Sequence, residues 1–328
     1  MYYVMRKKKN RKNNGRIVLL IIIVAALIVA LFLLFGDSLK GKGNDAGSDV
    51  SIESDEQAGP DDEQESTETA GTPTGISSLS SLWYFDSENT SRYESFAKQN
   101  PGIALEDIVW MVEANLDMEP YDDAVAAVDV DSNTALVNKY FYLEEDFTPT
   151  DLVTVGSSML RKEAAEAMQK MIKAAAAEGH NLWVQSGYRS FTVQRTLYEK
   201  YSANDGVELA DTYSARPGHS EHQTGLAVDF NTITDAFGES PEGRWAADNS
   251  WRYGYILRYT KQNTEITKYR SEPWHFRYIG EEYAAMYKEY AFQSYEEFWV
   301  KNIKFSPTSS AGSTEDDEAA QEEESSEE

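Results

Sequence analysis

The sequence predicts one folded α+β domain over residues 79–305, preceded by a transmembrane helix and a disordered linker. All seven Trp residues fall within 79–305, together with most of the other aromatic residues, so a large hydrophobic core can form only there. Helical and strand-like segments both occur in this region without regular alternation, which disfavours a doubly wound parallel sheet. Near the N-terminus, an uncharged apolar run is long enough to form a membrane-spanning helix.

A basic segment over residues 1–16 precedes the apolar run 17–35, which contains 19 residues. As a helix this run would be about 28 Å long, close to the roughly 30 Å hydrocarbon core of a bilayer. It exceeds the roughly 7–15 apolar residues of a secretory signal, although a long signal peptide that is cleaved is the alternative. Because basic residues precede the helix, we expect a single-pass cell-membrane protein with a cytoplasmic N-terminus and an extracytoplasmic domain. The absence of cysteine suggests a Gram-positive bacterium.

Residues 36–78 and 306–328 are expected to be a disordered acidic linker and a disordered acidic tail, because both have almost no large apolar side chains. The net charge of the chain is −26, and residues 79–305 hold 36 Asp and Glu against 21 Lys and Arg. We therefore expect no nucleic-acid partner, since phosphate neutralisation needs an excess of basic residues. The lack of cysteine also excludes a thiolate zinc site and a cysteine nucleophile.

Within the domain, sequence periodicity predicts the elements in turn. Helices are expected over 91–100, 105–115, 161–178, 192–201 and 281–290. Strands rich in β-branched and aromatic residues are expected over 134–142, 181–186, 226–230 and 274–278, with a turn over 149–152. The helix over 161–178 is the clearest, because Ala164, Met168 and Met171 fall on one stripe and Gly179 follows where a helix would stop.

Three of the four histidines lie in two short polar segments that could form a zinc site. Without cysteine, zinc must use histidine nitrogen and carboxylate oxygen, which His222, Asp229 and His275 could supply. Glu272 would lie beside the ion without binding it, as a general base does. Pro273 biases Glu272 to an extended conformation, so this is not a helical His-Glu-x-x-His motif. The alternative is that these side chains are ordinary hydrogen-bonded residues.

The same segments resemble the VanY-type D-alanyl-D-alanine carboxypeptidases, a family of zinc peptidases that trim bacterial cell-wall stem peptides. The resemblance covers roughly residues 105–300. It rests on SEHQTGLAVD (220–229) with ARPG before it, EPWHFRY (272–278), SGYRSFTVQ (186–194), LVNKYFYL (136–143) and FTPTDLV (147–153). It implies the hedgehog-like fold of these zinc peptidases, with a small antiparallel sheet flanked by helices.

By position, the resemblance implies that His222, Asp229 and His275 bind Zn²⁺ and that Glu272 is the catalytic base. The implied function is a membrane-anchored carboxypeptidase that uses zinc-activated water to remove the terminal D-Ala of peptidoglycan stem peptides. One alternative is an L,D-carboxypeptidase acting on tetrapeptide stems, and a free dipeptidase is disfavoured. A non-catalytic, zinc-containing wall-binding module is a further alternative, although such a module would not need Glu272.

The expected substrate-binding residues surround these positions. The resemblance assigns to Arg189 the stabilisation of negative charge on the attacked carbonyl, and it places Ser220 and Gln194 near the substrate. Tyr188 is expected to line the cleft or to pack as a structural aromatic residue.

Four further residues are singled out by type. Arg216 and Arg277 are candidates for binding the substrate's terminal carboxylate, unless each pairs with a local acid. His180, near a predicted helix end, and His219, three residues before His222, are expected to be structural rather than metal ligands, because the metal shell is already complete without them.

Overall fold

In the computed structural model, which describes residues 75–306, the chain is a mixed fold of helices and small sheets, so the predicted α+β class is confirmed. The helices are α1 (Thr90–Gln99), α2 (Leu105–Glu113), α3 (Lys162–Ala177), α4 (Phe191–Asp205), α5 (Val207–Asp211), α6 (Ala236–Glu239), α7 (Pro241–Asn249), α8 (Thr264–Thr267), α9 (Glu281–Tyr290) and α10 (Tyr295–Trp299). The strands are β1 (Val125–Ala126), β2 (Phe141–Tyr142), β3 (Leu152–Val155), β4 (Ser158–Arg161), β5 (Val184–Ser186), β6 (Ala227–Phe230), β7 (Tyr255–Leu257) and β8 (His275–Tyr278).

The central sheet has four strands in the order β5-β6-β8-β7, and each neighbouring pair is antiparallel. All residues of β6 and β8 are buried, as expected for central strands covered on both faces. In the register of these two strands, Asp229 lies opposite His275. On the other side of β6, Ser186 of β5 lies opposite Asp229. The sheet therefore holds two of the predicted metal ligands next to each other on adjacent strands.

Helix α3 packs against this sheet and confirms the clearest helix predicted from the sequence. Its buried side chains include Met168 and Met171, which form one hydrophobic cluster with Val228 and Phe276 of the sheet. The helix is followed by Gly179 at φ 87°, a left-handed conformation that favours glycine. The amphipathic pattern alone thus located this helix and the face that it buries.

A second hydrophobic cluster joins the N-terminal helices to the C-terminal ones. Ile76 and Trp110 are buried together with Tyr295 of α10. Ile76 is only 1% exposed and begins a 3-10 turn over Ile76–Ser81. Ile76, which the sequence assigns to the linker 36–78, is therefore part of this cluster.

Residues 134–142 are not the continuous strand that their composition predicts. Only β2 forms there, and it pairs in parallel with β1. The backbone N–H groups of Tyr140 and Phe141 donate to Oδ1 of Asn138 rather than to a neighbouring strand. Because an irregular buried segment is as apolar as a strand, composition does not separate the two. The sequence also does not predict β7. At the start of the β3–β4 hairpin it predicts only the turn over 149–152.

None of the helices between residues 75 and 306 is both long and apolar enough to span a bilayer. The longest of them, α3, has 16 residues and carries Lys and Glu side chains. This finding corrects the expectation of a single-pass cell-membrane protein. The predicted helix over 17–35, the basic segment before it, most of the linker and the acidic tail lie outside the described residues.

Candidate active site

The sheet and a neighbouring turn bring three potential metal ligands together. Asp229 of β6 and His275 of β8 are held by the strand register, and His222 approaches from a 3-10 turn over Glu221–Thr224. Gly225 ends this turn at φ 70°, which lets the chain enter β6; a Cβ there would lie 2.9 Å from Cδ2 of Leu152. One nitrogen or oxygen atom of each of the three side chains lies within 4.8 Å of the others.

Hydrogen bonds outside the cluster determine which histidine nitrogens face its centre. Nδ1 of His222 lies 2.7 Å from the carbonyl oxygen of Gly187, and Nε2 of His275 lies 3.0 Å from Oε2 of Glu221. A proton on each of these nitrogens leaves the lone pairs of His222 Nε2 and His275 Nδ1 directed at Asp229, at 3.3 Å in both cases. Secondary contacts of this kind orient metal-binding histidines in proteins.

The charges of the cluster also fit a cation. Burial would raise the pKa of Asp229, but His222 and His275 hold it well below its usual range, so this side chain is a carboxylate. Oδ1 of Asp229 is buried and has no hydrogen-bond partner among the described residues. A buried anionic oxygen of this kind is expected where a cation binds.

Glu272 lies beside the cluster, with Oε2 at 3.7 Å from Nδ1 of His275. Its side chain is 12% exposed, and burial raises its pKa to about 7. A carboxyl group whose pKa lies near neutrality can both accept and return a proton. Glu272 therefore lies next to the potential metal ligands, and its role as the base stays a prediction.

Arg189, Gln194 and Ser220 line the same cavity of about 140 Å³ as the three potential ligands. The backbone N–H of Arg189 donates to the carbonyl of His222 at 3.0 Å, while its buried Nε has no partner within residues 75–306. Nε2 of Gln194 donates to the carbonyl of Ala215 at 2.6 Å, and in the described part of the chain its buried Oε1 is unpaired. Unpaired buried donors and acceptors in one cavity are what a polar ligand would satisfy.

Tyr188 is not among the described residues that line this cavity. Its hydroxyl lies 3.3 Å from Oγ1 of Thr148. The structure thus brings Arg189, Gln194 and Ser220 to the potential metal ligands but leaves Tyr188 outside the cavity.

Arg216 and Arg277 do not present free guanidinium groups to a substrate carboxylate. Arg216 forms an ion pair with Asp211 at 2.8 Å. Arg277 is fully buried, 3.2 Å from Glu221, and also donates to the carbonyl of Ala135 at 2.7 Å. The alternative that each pairs with a local acid is therefore correct, because burial makes an unpaired guanidinium costly.

The two remaining histidines lie outside the metal cluster. Nδ1 of His219 is 2.8 Å from the carbonyl oxygen of Asn138, although the ring lines the cavity. The ring centroids of His180 and Trp245 are 6.0 Å apart. Neither belongs to the group of side chains that could hold a metal among the described residues.

Glu221 is the residue of the site that the sequence analysis missed. It is 2% exposed, and its second oxygen, Oε1, accepts from Nε of Arg258 at 2.8 Å. Burial raises its pKa, but Arg258 and Arg277 outweigh this effect and hold the pKa well below its usual range. The one signal in the sequence was that this charged residue stands directly before His222. The structure shows that the residues around it are buried. Its partner Arg258 lies in a segment with no recognisable motif.

A single cluster of two histidines and one aspartate, with a carboxyl group beside it, is typical of metal-dependent hydrolases. Residues 157–281 match the family model described as VanY, D-alanyl-D-alanine carboxypeptidase. The chain belongs to this VanY-type family.

The individual relatives agree with this membership. The YodJ protein of Bacillus subtilis (strain 168) is 39% identical over 171 residues, which are 47% of this chain and 63% of YodJ. A D-alanyl-D-alanine carboxypeptidase of Enterococcus faecium is 31% identical over 172 residues, which are 48% of this chain and 54% of that protein. The chain thus spans less than two thirds of the length of either relative.

A solved structure is matched over most of its own length. The LdcB LD-carboxypeptidase, whose structure is described as revealing the molecular basis of peptidoglycan recognition, superposes with a TM-score of 0.52 and 36% identity. The match covers 56% of this chain and 92% of LdcB.

Proposed function

We propose that the chain is a zinc-dependent D-alanyl-D-alanine carboxypeptidase that removes the terminal D-Ala from peptidoglycan stem peptides. The observation that carries this proposal is the convergence of His222, Asp229 and His275, with Glu272 at 3.7 Å from His275. The description of the matching family model and the named activity of the Enterococcus faecium relative support the reaction and the substrate class. The hedgehog-like fold is proposed on the same family membership.

The donor set favours zinc as the metal. Two imidazole nitrogens and one carboxylate oxygen are ligands that zinc accepts, and three protein ligands leave a position open for chemistry, as in catalytic zinc sites. When bound, Zn²⁺ supplies a Lewis acid that polarises a carbonyl and lowers the pKa of water. His222, Asp229 and His275 would hold it, each oriented by the contacts described above.

Glu272 and Arg189 are proposed to carry out the proton transfer and the charge stabilisation of peptide hydrolysis. Glu272 accepts a proton from the water that attacks the peptide carbonyl carbon. The new C–O bond forms, the C–N bond then breaks, and Glu272 returns the proton to the leaving amine nitrogen. Arg189 donates a hydrogen bond to the carbonyl oxygen as negative charge develops on it, and its unpaired Nε is the donor for this role.

Gln194 and Ser220 are proposed to orient the substrate. The unpaired Oε1 of Gln194 accepts a hydrogen bond from a peptide N–H, while its amide nitrogen stays bound to the carbonyl of Ala215. Ser220 is 4% exposed and lies on the wall of the same cavity. Both side chains therefore have polar atoms where a short peptide would lie.

The second candidate function is an L,D-carboxypeptidase that acts on tetrapeptide stems. It is favoured by the structural similarity to LdcB, which is named as an LD-carboxypeptidase. The two candidates share the catalytic residues and differ in the substrate: the residue before the scissile bond is D-Ala in the pentapeptide stem and an L-amino acid in the shorter tetrapeptide stem.

One assay separates the candidates. The purified full chain is incubated with synthetic pentapeptide and tetrapeptide stems, and the products are compared by mass spectrometry. We expect loss of one D-Ala from the pentapeptide, loss of this activity with a chelator, and recovery on addition of Zn²⁺. Preferential cleavage of the tetrapeptide would establish the L,D activity, and hydrolysis that survives complete metal removal would contradict the zinc site.

A further inference from the structure

Beside Nε2 of His275 lies a buried charge network of four side chains, Glu221, Arg258, Arg277 and Glu296, of which only Glu221 also lines the cavity. Each is 2% exposed or less. Glu296 belongs to α10, beyond the region 157–281 that matches the family model. A carboxylate from the C-terminal part of the chain thus lies close to the candidate metal site.

The contacts run without a gap from Glu296 to the histidine. Oε1 of Glu296 lies 2.6 Å from Nη2 of Arg258, and Oε2 lies 3.1 Å from Nη1, so the guanidinium is bound by two parallel hydrogen bonds. Nε of the same guanidinium donates to Oε1 of Glu221 at 2.8 Å. Oε2 of Glu221 then lies 3.0 Å from Nε2 of His275.

The network is balanced in charge, with two carboxylates and two guanidinium groups. Arg258 and Arg277 both contact Oε1 of Glu221, so without Glu296 two positive charges would face one carboxylate. A carboxylate drawn toward two cations is a weaker acceptor for the N–H of His275. Glu296 offsets the excess charge and fixes the plane of the Arg258 guanidinium, while Nδ2 of Asn138 donates to it at 3.1 Å.

We propose that Glu296 is a positioning residue for the active site, which acts through Arg258 and Glu221 to orient His275 as a metal ligand. The C-terminal helix α10 is then part of the catalytic apparatus although it touches neither metal nor substrate. This inference rests on the proposed function, because it assigns His275 to a metal. Outer partners of metal-binding histidines typically change metal affinity by about 10–100-fold when they are removed.

The chain offers a matched control on the same helix. Glu297 follows Glu296, is 6% exposed, and pairs with Lys301 at 2.6 Å, outside the network. Glu296→Gln and Glu297→Gln therefore each remove one buried negative charge from α10. We expect Glu296→Gln to weaken Zn²⁺ binding by the full chain about tenfold, measured by competition with a chromophoric chelator, and Glu297→Gln to leave it unchanged.

A spectroscopic measurement tests the orientation of the histidine directly. In the metal-free full chain, we expect Glu296→Gln to change the imidazole ¹⁵N chemical shifts of His275, while Glu297→Gln leaves them in place. If Glu296→Gln does not fold, Arg258→Lys tests the same connection, because lysine keeps the charge but cannot contact both carboxylates in the same way. We expect this variant to weaken Zn²⁺ binding and to change the same signals.

Two outcomes would overturn the inference: a folded Glu296→Gln or Arg258→Lys variant with wild-type Zn²⁺ affinity and unchanged His275 signals, or equal changes in Glu297→Gln. The proposed function fails differently. Wild-type protein that binds no Zn²⁺, or that binds it without cleaving stem peptides, contradicts the proposed function, and the metal-free ¹⁵N shifts then decide the inference independently.

Discussion

The two polar regions on either side of His275 are both buried, but their hydrogen bonding differs. Behind the ring, the carboxylates of Glu221 and Glu296 are paired with two guanidinium groups. In front of it, Asp229 Oδ1, Arg189 Nε and Gln194 Oε1 are buried without partners among the described residues. Only one other such side-chain atom, Oε1 of Gln223, occurs in the described part of the chain.

This difference separates the residues that build the site from those that are available for a ligand. A buried polar atom without a partner is costly, so proteins retain few of them away from functional sites. Three of the four cases between residues 75 and 306 belong to side chains that line one cavity. Apart from the proposed ligand Asp229, substitutions in front of His275 should therefore affect turnover, and those behind it should affect stability and metal binding.

The largest effect on turnover is expected for Glu272→Gln. The amide cannot accept a proton, so kcat should fall by about 10²–10⁴-fold. Zn²⁺ affinity should be nearly unchanged, because Glu272 is not one of the three proposed ligands. The rate of D-Ala release from a pentapeptide stem gives kcat, and competition with a chelator gives the Zn²⁺ affinity. A binding module without catalysis would show no turnover in either protein, and wild-type turnover in the variant would remove Glu272 from the mechanism.

The next largest effect is expected for Arg189→Met, which keeps the length of the side chain but removes the donors. We expect kcat/KM to fall by about 10²–10³-fold, the typical cost of losing one donor to a developing oxyanion. Folding should be retained, because Nε of Arg189 has no partner to lose in the described residues. Steady-state kinetics and thermal unfolding report the two quantities. A folded variant with lower thermal stability and unchanged kcat/KM would assign Arg189 to structure.

For Glu221→Gln, behind the ring, the comparison predicts the opposite pattern. Arg258 and Arg277 each lose the charged partner Glu221, and breaking a buried ion pair typically lowers the free energy of unfolding by about 3–5 kcal/mol, although Arg258 keeps Glu296. Zn²⁺ affinity should fall by about 10–100-fold, because Glu221 contacts His275 directly. Urea denaturation and chelator competition measure these changes. An unchanged free energy of unfolding would show that the ion pairs of Glu221 do not stabilise the fold.

The smallest effect is expected for Arg216→Gln. Its guanidinium already pairs with Asp211 and stacks 4.1 Å from the ring centre of Tyr121, and its side chain is 33% exposed. Such partly exposed ion pairs contribute about 0–1 kcal/mol, so kcat/KM should change by less than about threefold. A loss of affinity limited to substrates with a free terminal carboxylate would restore Arg216 as a substrate-binding residue.

The sequence by itself determined the features that depend on local pattern. Helix α3 follows from an apolar stripe with Gly179 after it, and strands β6 and β8 follow from short buried runs. The potential metal ligands and Glu272 could be predicted because their chemistry requires particular residue types at short spacings within two segments. These inferences need only neighbours in the chain.

The tertiary structure alone decided which residues meet across the chain. The strand register places Asp229 opposite His275, and α10 brings Glu296 to Arg258, a contact between residues 38 positions apart. The same distant packing made Arg277 a buried partner of Glu221 rather than a free cation, and it covered residues 134–140 without a strand ladder. Burial and pairing between distant segments depend on the whole packed core, and residue type along the chain carries little record of them.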